Sequence, residues 1–174
     1  MDDNGLKLPL AGQGGPRRVA LRPLGAAEFP ALERALALEQ AEGFAQVRGV
    51  PVEPLLAFYT NSTRAQVARA LATPGHSFLA ITDGARGEAV GSLWLNEMQE
   101  EGLSRAWYLN WIGIDPPWQR QGYGRAALLA LGEQLHGQGG GRLVLQVFHA
   151  NAAAVGLYRS LGFEPTRSYL HRRY

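Results

Sequence analysis

The stretch from Ala106 to Arg125, AWYLNWIGIDPPWQRQGYGR, constrains the fold more than any other part of the chain. Trp107, Tyr108, Leu109, Trp111, Ile112 and Ile114 are aromatic or aliphatic in nearly unbroken succession. A strand covered on both faces requires such a run. Asp115-Pro116-Pro117 then stops the ladder, because proline has no N–H to give it. Gly122 and Gly124 bracket Tyr123 immediately before AALLALGEQL, whose apolar residues have helical spacing. Glycine lets backbone approach a ligand closely, and the first-turn N–H groups of a helix face any anion set before them. A phosphate cradle hung on a strand and a tight strand-to-helix turn without a ligand are both consistent with these residues.

The 174 residues suffice for one domain with a real core and not for two. Lys+Arg 17 against Asp+Glu 15 leaves a net charge of +2, too small to argue for nucleic acid. The absence of cysteine removes disulfides, thiolate metal sites and a cysteine nucleophile together. No apolar run approaches the roughly 20 residues needed to cross a bilayer. The N-terminus opens acidic and lacks the apolar core of a secretory signal. A cytoplasmic protein without metal, nucleic acid or membrane partner is therefore expected. Residues 1–17, rich in glycine and proline up to Pro16, read as a flexible tail, and 18–174 as the domain.

Periodicity predicts a strand over Val19–Pro23 and a helix over Ala26–Gly43, with Phe29, Leu32 and Leu36 on one face. A helix restarts over Pro51–Tyr59, and Thr63 with Gln66 fits a capping box for another, ending before Pro74. Strands follow over Ser77–Thr82 and Ala89–Asn96, around the turn signal Asp83-Gly84. Glu97 to Ser104 reads as a loop. After the central strand come a helix to Gln138, a strand over Arg142–Phe148, a short helix over Asn151–Leu161 and a last strand within Phe163–Tyr174. The pattern is one α/β domain with a mixed sheet and a crossover helix between two parallel strands.

Gly122-Tyr-Gly124-Arg-Ala-Ala127 also satisfies a dinucleotide fingerprint. Three features oppose it: Asp115 to Gln121 separates the glycines from the strand, no acidic residue follows at about 20 positions, and too little chain remains. Gln119-Arg-Gln-Gly122-Tyr-Gly124 instead resembles the Gln/Arg-x-x-Gly-x-Gly/Ala motif of the GNAT superfamily of acyl-CoA-dependent N-acyltransferases. Downstream, Asn151-Ala-Ala-Ala154-Val-Gly-Leu157-Tyr158-Arg-Ser-Leu161-Gly162-Phe163 is similar to the family's second segment, N-x-x-A-x-x-L/F-Y-x-x-x-G-F. The resemblance covers about residues 19 to 170. It implies a mostly antiparallel mixed sheet of six or seven strands, helices on both faces and a splayed central parallel pair. The chain departs from the family at its short C-terminus, which leaves room for fewer strands after Gly162-Phe163.

The resemblance also implies site roles. Gln119, Arg120, Gln121, Gly122, Tyr123, Gly124 and Arg125 would hold the pyrophosphate of acetyl-CoA, largely through backbone N–H groups. Backbone at Ile112, Gly113 and Ile114 would pair with the pantetheine, and Asn151 would reach it from the last helix. A backbone N–H near Trp111 or Ile112 would stabilise the oxyanion. Tyr158 would protonate the leaving thiolate. Direct attack by a primary amine in a ternary complex is the implied reaction, and without cysteine no cysteinyl intermediate forms. The amine needs a proton acceptor: Asn110 can hold a water, Glu97 is the leading carboxylate ahead of Glu100 and Glu101, and His149 is a second candidate. Small amines, antibiotics, amino acids and protein N-termini all remain open as acceptors, as does a homodimer. A non-catalytic acyl-CoA-binding sensor is the main alternative, and a dinucleotide-binding protein a third reading.

Overall fold

The computed structural model describes residues 17–98, 106–139 and 141–168. Strand β1 (Val19–Pro23) leads to helix α1 (Phe29–Arg48) and helix α2 (Val52–Leu71). Strands β2 (His76–Asp83), β3 (Ala89–Met98) and β4 (Ala106–Ile114) follow. Helix α3 (Tyr123–Gly137), strand β5 (Arg142–Leu145) and helix α4 (Ala152–Ser160) complete the described elements. The strands lie in one sheet in sequence order, antiparallel except for the parallel pair β4–β5.

Strand alternation sorts the sheet's side chains between two layers. Leu93, Leu95, Trp107 and Leu109 meet Ala127, Leu128, Leu131 and Leu135 of α3 on one face, and Leu157 and Tyr158 of α4 join that cluster. Phe78 and Trp94 point the other way and pack on Leu32 and Leu36 of α1 and Val67 and Ala70 of α2. Trp94 is held there by its indole N–H, which donates to His76 Nδ1 at 3.0 Å. Helices therefore cover both faces, as expected.

Several expectations are corrected. Five strands are present among the described residues, where six or seven were expected. Phe163 to Ser168 forms no strand, and Pro165 within it lacks a ladder donor; the rest of the expected last strand, 169–174, lies outside the described residues, as do Glu100 and Glu101. The Thr63 capping box does not form. Thr63 is buried inside the single continuous helix α2, one turn after Tyr59 and one before Val67. Helix α1 runs past Gly43 to Arg48 and ends at Gly49, whose φ of 68° suits a left-handed cap. Gly43 does not break it because its missing side chain is what lets the helix approach Phe148.

Candidate active site

The opening in the fold begins at a register shift. Trp94 pairs with Trp111 and Leu95 with Leu109, so Asn110 is an extra residue on β4. The bulge restarts the alternation. Trp111 packs with the α1–α2 face, and Ile112 and Ile114 return to the α3 face. The parallel pairing of β4 with β5 stops at the same point, with Leu109 opposite Leu145 as its last pair. The strand expected to reach Phe148 thus ends at Leu145. Among the described residues, β4 pairs only with β3 from Asn110 to Ile114, and the edge toward β5 has no partner strand.

The turn after β4 lies at the end of this edge. Gln119 donates from Nε2 to the Ile114 carbonyl at 2.8 Å, and Gln121 from Nε2 to the Pro117 carbonyl at 2.9 Å. Arg120 at φ 61° and Gly122 at φ 90° turn the backbone left-handed into α3. Tyr123 is buried, and its hydroxyl donates to Asp83 Oδ2 at 2.6 Å. That bond, with the N–H groups of Ala85 and Arg86 on Oδ1, holds the Asp83 carboxyl below its usual range. Arg17, placed in the tail by the sequence reading, lies over the Tyr123 ring at 5.0 Å and donates to Gln121. Arg125 donates to Ser160 on α4.

The side chains of Gln119, Gln121, Tyr123 and Arg125 are therefore struts. Among the described residues, no backbone carbonyl accepts from the N–H groups of residues 120–125. These groups, at the N-terminus of α3, form a surface suited to an anion. Gly124 sits where a Cβ would come within 3.3 Å of Leu157 Cδ2 and 3.9 Å of Ile114 Cγ1, so α3, α4 and β4 converge there.

Tyr158 lies on the α4 side of the opening. It is half-buried, and burial together with the charge of Glu39 pushes its hydroxyl up to about 12. Asn151 caps α4, its Oδ1 accepting from Ala154 N–H at 3.1 Å. Asn110 donates from Nδ2 to Asn96 Oδ1 at 2.7 Å, toward the α1–α2 face. Glu97 is not brought to this group. It pairs with Trp107 at the start of β4 and lines a separate cavity with His76, Leu131 and Gln134 on the α3 face. Trp107 and Ile112 are five positions apart on β4, about 16 Å of strand. His149 is exposed, just beyond Phe148.

The profile of the acetyltransferase (GNAT) family matches residues 37–163. The chain belongs to the GNAT family. YycN of Bacillus subtilis, an N-acetyltransferase, is 32% identical over 98 residues, 56% of this chain and 62% of the relative. The [ribosomal protein bS18]-alanine N-acetyltransferase of Escherichia coli strain K12 is 52% identical over 52 residues, 30% of this chain. The match spans about a third (35%) of that enzyme's length. The crystal structure of the Bacillus subtilis YycN protein superposes with a TM-score of 0.78 at 24% identity, over 90% of this chain and 98% of that one.

GNAT acetyltransferases use acetyl-CoA as cosubstrate, and the site of this member suits it. The free amides ahead of α3 match a diphosphate, and the open edge of β4 matches an extended arm bearing amides. Among the described residues no helix is long and apolar enough to cross a membrane, and no group of three or more His, Asp and Glu stands ready for a metal. Sequence reasoning missed Glu39, a half-buried carboxylate on α1 that acts electrostatically on Tyr158. It also missed Asp83, read only as a turn residue. A helical glutamate looks like solvated surface until the packing is known, whereas an Asp-Gly turn was a usable signal for Asp83.

Proposed function

We propose that this protein is an N-acetyltransferase that moves the acetyl group of acetyl-CoA directly to a primary amine. The observation that carries the reading is the coincidence of three features at one opening. These are the unpartnered β4 edge from Asn110 to Ile114, the free amides of residues 120–125, and the half-buried phenol of Tyr158. The amides bind the diphosphate, with Arg120 adding charge at the rim. The β4 backbone around Ile112 orients the pantetheine arm as an added strand. An N–H at Trp111 or Ile112 meets the thioester oxygen as charge develops on it. Tyr158, neutral across the physiological range, donates its proton to the departing sulfur. Asn151 helps fix the arm from the start of α4.

The acceptors named for relatives range from a ribosomal-protein alanine upward, and the amine used here is a primary amine of unspecified class. The test pairs thermal denaturation in the presence of acetyl-CoA with CoA thiol release against a panel of amines. Acetyl-CoA at 100 times its dissociation constant stabilises a one-site protein by about 2.7 kcal/mol. Gly124→Glu fills and charges the cradle beside Leu157 and removes that shift. A shift that survives Gly124→Glu rejects the site. A shift without thiol release to any amine favours an acyl-CoA sensor.

A further inference from the structure

Beyond the last β4–β5 pair, the two faces of the sheet are no longer separated by paired strands among the described residues. Tyr158 packs with the α3-side cluster, whereas α1 covers the opposite face. Yet the charge of Glu39, on α1, reaches Tyr158. Where β4 and β5 are paired, the sheet separates these two layers; beyond Leu109 and Leu145 it no longer does. The position of α1 at this opening is independently fixed by Gly43, one turn after Glu39. A Cβ on Gly43 would lie 2.3 Å from the Phe148 ring, and Phe44 meets the same ring edge-on at 5.1 Å between centroids. Phe148 is three residues beyond the last β5 pair, so this turn of α1 lies over the splayed end of that strand.

We propose that Glu39 is the carboxylate that receives the acceptor's ammonium group and takes its proton, facing Tyr158 across the opening between β4 and β5. The proposal rests on the acetyltransferase reading and adds the proton acceptor that Glu97 is too distant to be. It also gives the acceptor a class: a primary amine that arrives as a cation. Burial and the neighbouring charge of Glu42 raise the Glu39 carboxyl above its ordinary value, which makes it a stronger base. The charged group that bears on it is Glu42 from its own helix, and its own charge in turn acts on the neutral phenol of Tyr158 from α4. Arg64 of α2 is spent on Glu33, at 3.7 Å.

The protons balance. An ammonium acceptor loses two protons in becoming an amide. Glu39 takes the first and frees the nitrogen lone pair, which forms the N–C bond to the thioester carbon. The C–S bond breaks as Tyr158 gives its proton to sulfur. Of the two protons lost by nitrogen, one restores Tyr158 and the other leaves through Glu39 to solvent. The products are amide, CoA thiol and one released proton.

The test uses the full chain with acetyl-CoA and three nucleophiles: spermidine, a hexapeptide beginning with alanine, and hydroxylamine, which is already neutral at neutral pH. Glu39→Gln is expected to slow acetylation of whichever ammonium acceptor the wild type uses by about 10²-fold or more. Its acetyl-CoA-induced melting shift should match the wild type, and its turnover of hydroxylamine should fall only a few-fold. Glu133→Gln, which makes the same change at an exposed position of α3, should remain within a few-fold on all three. Ammonium turnover retained by Glu39→Gln overturns the proposal, as does an equal loss for hydroxylamine. Wild-type protein that binds acetyl-CoA but acetylates neither spermidine nor the peptide overturns it as well. Wild-type protein that shows no acetyl-CoA shift instead overturns the underlying cofactor site.

Discussion

Replacing Gly43 with alanine sets two opposed effects against each other, and the structure decides the sign. In an exposed helix interior, Gly→Ala stabilises by about 1 kcal/mol because alanine has less backbone freedom to lose. At Gly43 the new methyl would sit 2.3, 2.4 and 2.6 Å from three atoms of the Phe148 ring, while ordinary contact begins near 3.4 Å. Either the ring or the helix must retreat by 3.4 − 2.3 = 1.1 Å. Phe44 meets the ring from the side, so the ring has limited freedom. Overpacking of this kind costs about 1–3 kcal/mol. The net expectation is no gain and a loss of up to about 2 kcal/mol, or as much as about 8 °C in Tm for a chain of this size. Gly132→Ala is the matched control: Gly132 is an exposed interior position of α3 with nothing within 4 Å of a new Cβ. It should raise Tm by about 2–4 °C. Thermal denaturation followed by circular dichroism reads both. If Gly43→Ala raises Tm as Gly132→Ala does, α1 does not rest on Phe148. The Glu39 side of the opening is then wrongly drawn. If the helix yields in place of the ring, turnover should fall further than stability, since about 1 Å of misplacement at a reacting group can cost 10²-fold.

Tyr158→Phe should lower kcat by about 10²-fold or more with acetyl-CoA affinity within a few-fold of wild type; equal turnover removes the acid assignment. Because the folded protein keeps the Tyr158 hydroxyl protonated up to about pH 12, the stability it contributes is full below about pH 10 and lost as pH rises toward 12. Alkaline denaturation of the wild type should show this loss and Tyr158→Phe should not. Thr63→Val removes a buried hydroxyl that has no hydrogen-bond partner among the described residues, and should stabilise by about 1 kcal/mol in urea denaturation. A destabilised valine variant would mean that a hidden partner holds the hydroxyl. Glu28 accepts both Nη groups of Arg22 at 2.8 Å and the Gly25 N–H at 2.7 Å, which hold its carboxyl down to about 2. That stability is present above the unfolded value of 4.5 and lost as pH falls toward 2. The pair is solvent-accessible, so Glu28→Gln should cost no more than about 1 kcal/mol at neutral pH and nothing at the acid end.

What was legible in the chain was whatever proline, glycine and apolar runs punctuate. Pro116-Pro117 and Gly122-x-Gly124 marked the end of β4 and the start of α3 to within a residue. Asn151 announced the N-cap of α4 by propensity alone. Two kinds of feature were hidden. One is the bulge: an extra Asn110 within an apolar run leaves the composition unchanged, and only the pairing reveals that Trp94 faces Trp111 while Leu95 faces Leu109. The other is burial decided by a distant element. Gly43 looks like a helix breaker until Phe148 is placed against it, and Thr63 looks like a cap until α2 is seen to bury it. Glu39 reads as surface for the same reason, because its partial burial shows only once the chain is folded. The side chains of Gln119, Gln121 and Tyr123 brace the loop, and Arg125, whose charge was expected to serve the ligand, donates to Ser160; the motif letters do not announce these struts.

One extra residue accounts for much of this geometry. Inserting Asn110 into β4 moves Trp111 to the α1–α2 face and restores Ile112 and Ile114 to the α3 face, so both cores are served by one strand. A bulged strand bends and twists more strongly, and β5 parts from it at the same residue. The parting leaves inward-directed backbone donors and acceptors on a half-buried edge, a condition proteins seldom tolerate unless water or a ligand completes the hydrogen bonds. Under the proposed function, an extended molecule with its own amides would complete them, and its diphosphate would then reach the free N–H groups ahead of α3. The same parting removes the barrier between the layers that carry Glu39 and Tyr158. Deleting Asn110 should therefore affect more than one contact: regular pairing would extend along β4, and the cofactor edge and the route between the two side chains would close together. Hydrogen exchange can follow this, since amides at Ile112 to Ile114 should become protected in the deletion variant while acetyl-CoA binding is lost. Protection unchanged by the deletion would mean that the splay is imposed from α4 and the turn, and that the bulge merely accompanies it.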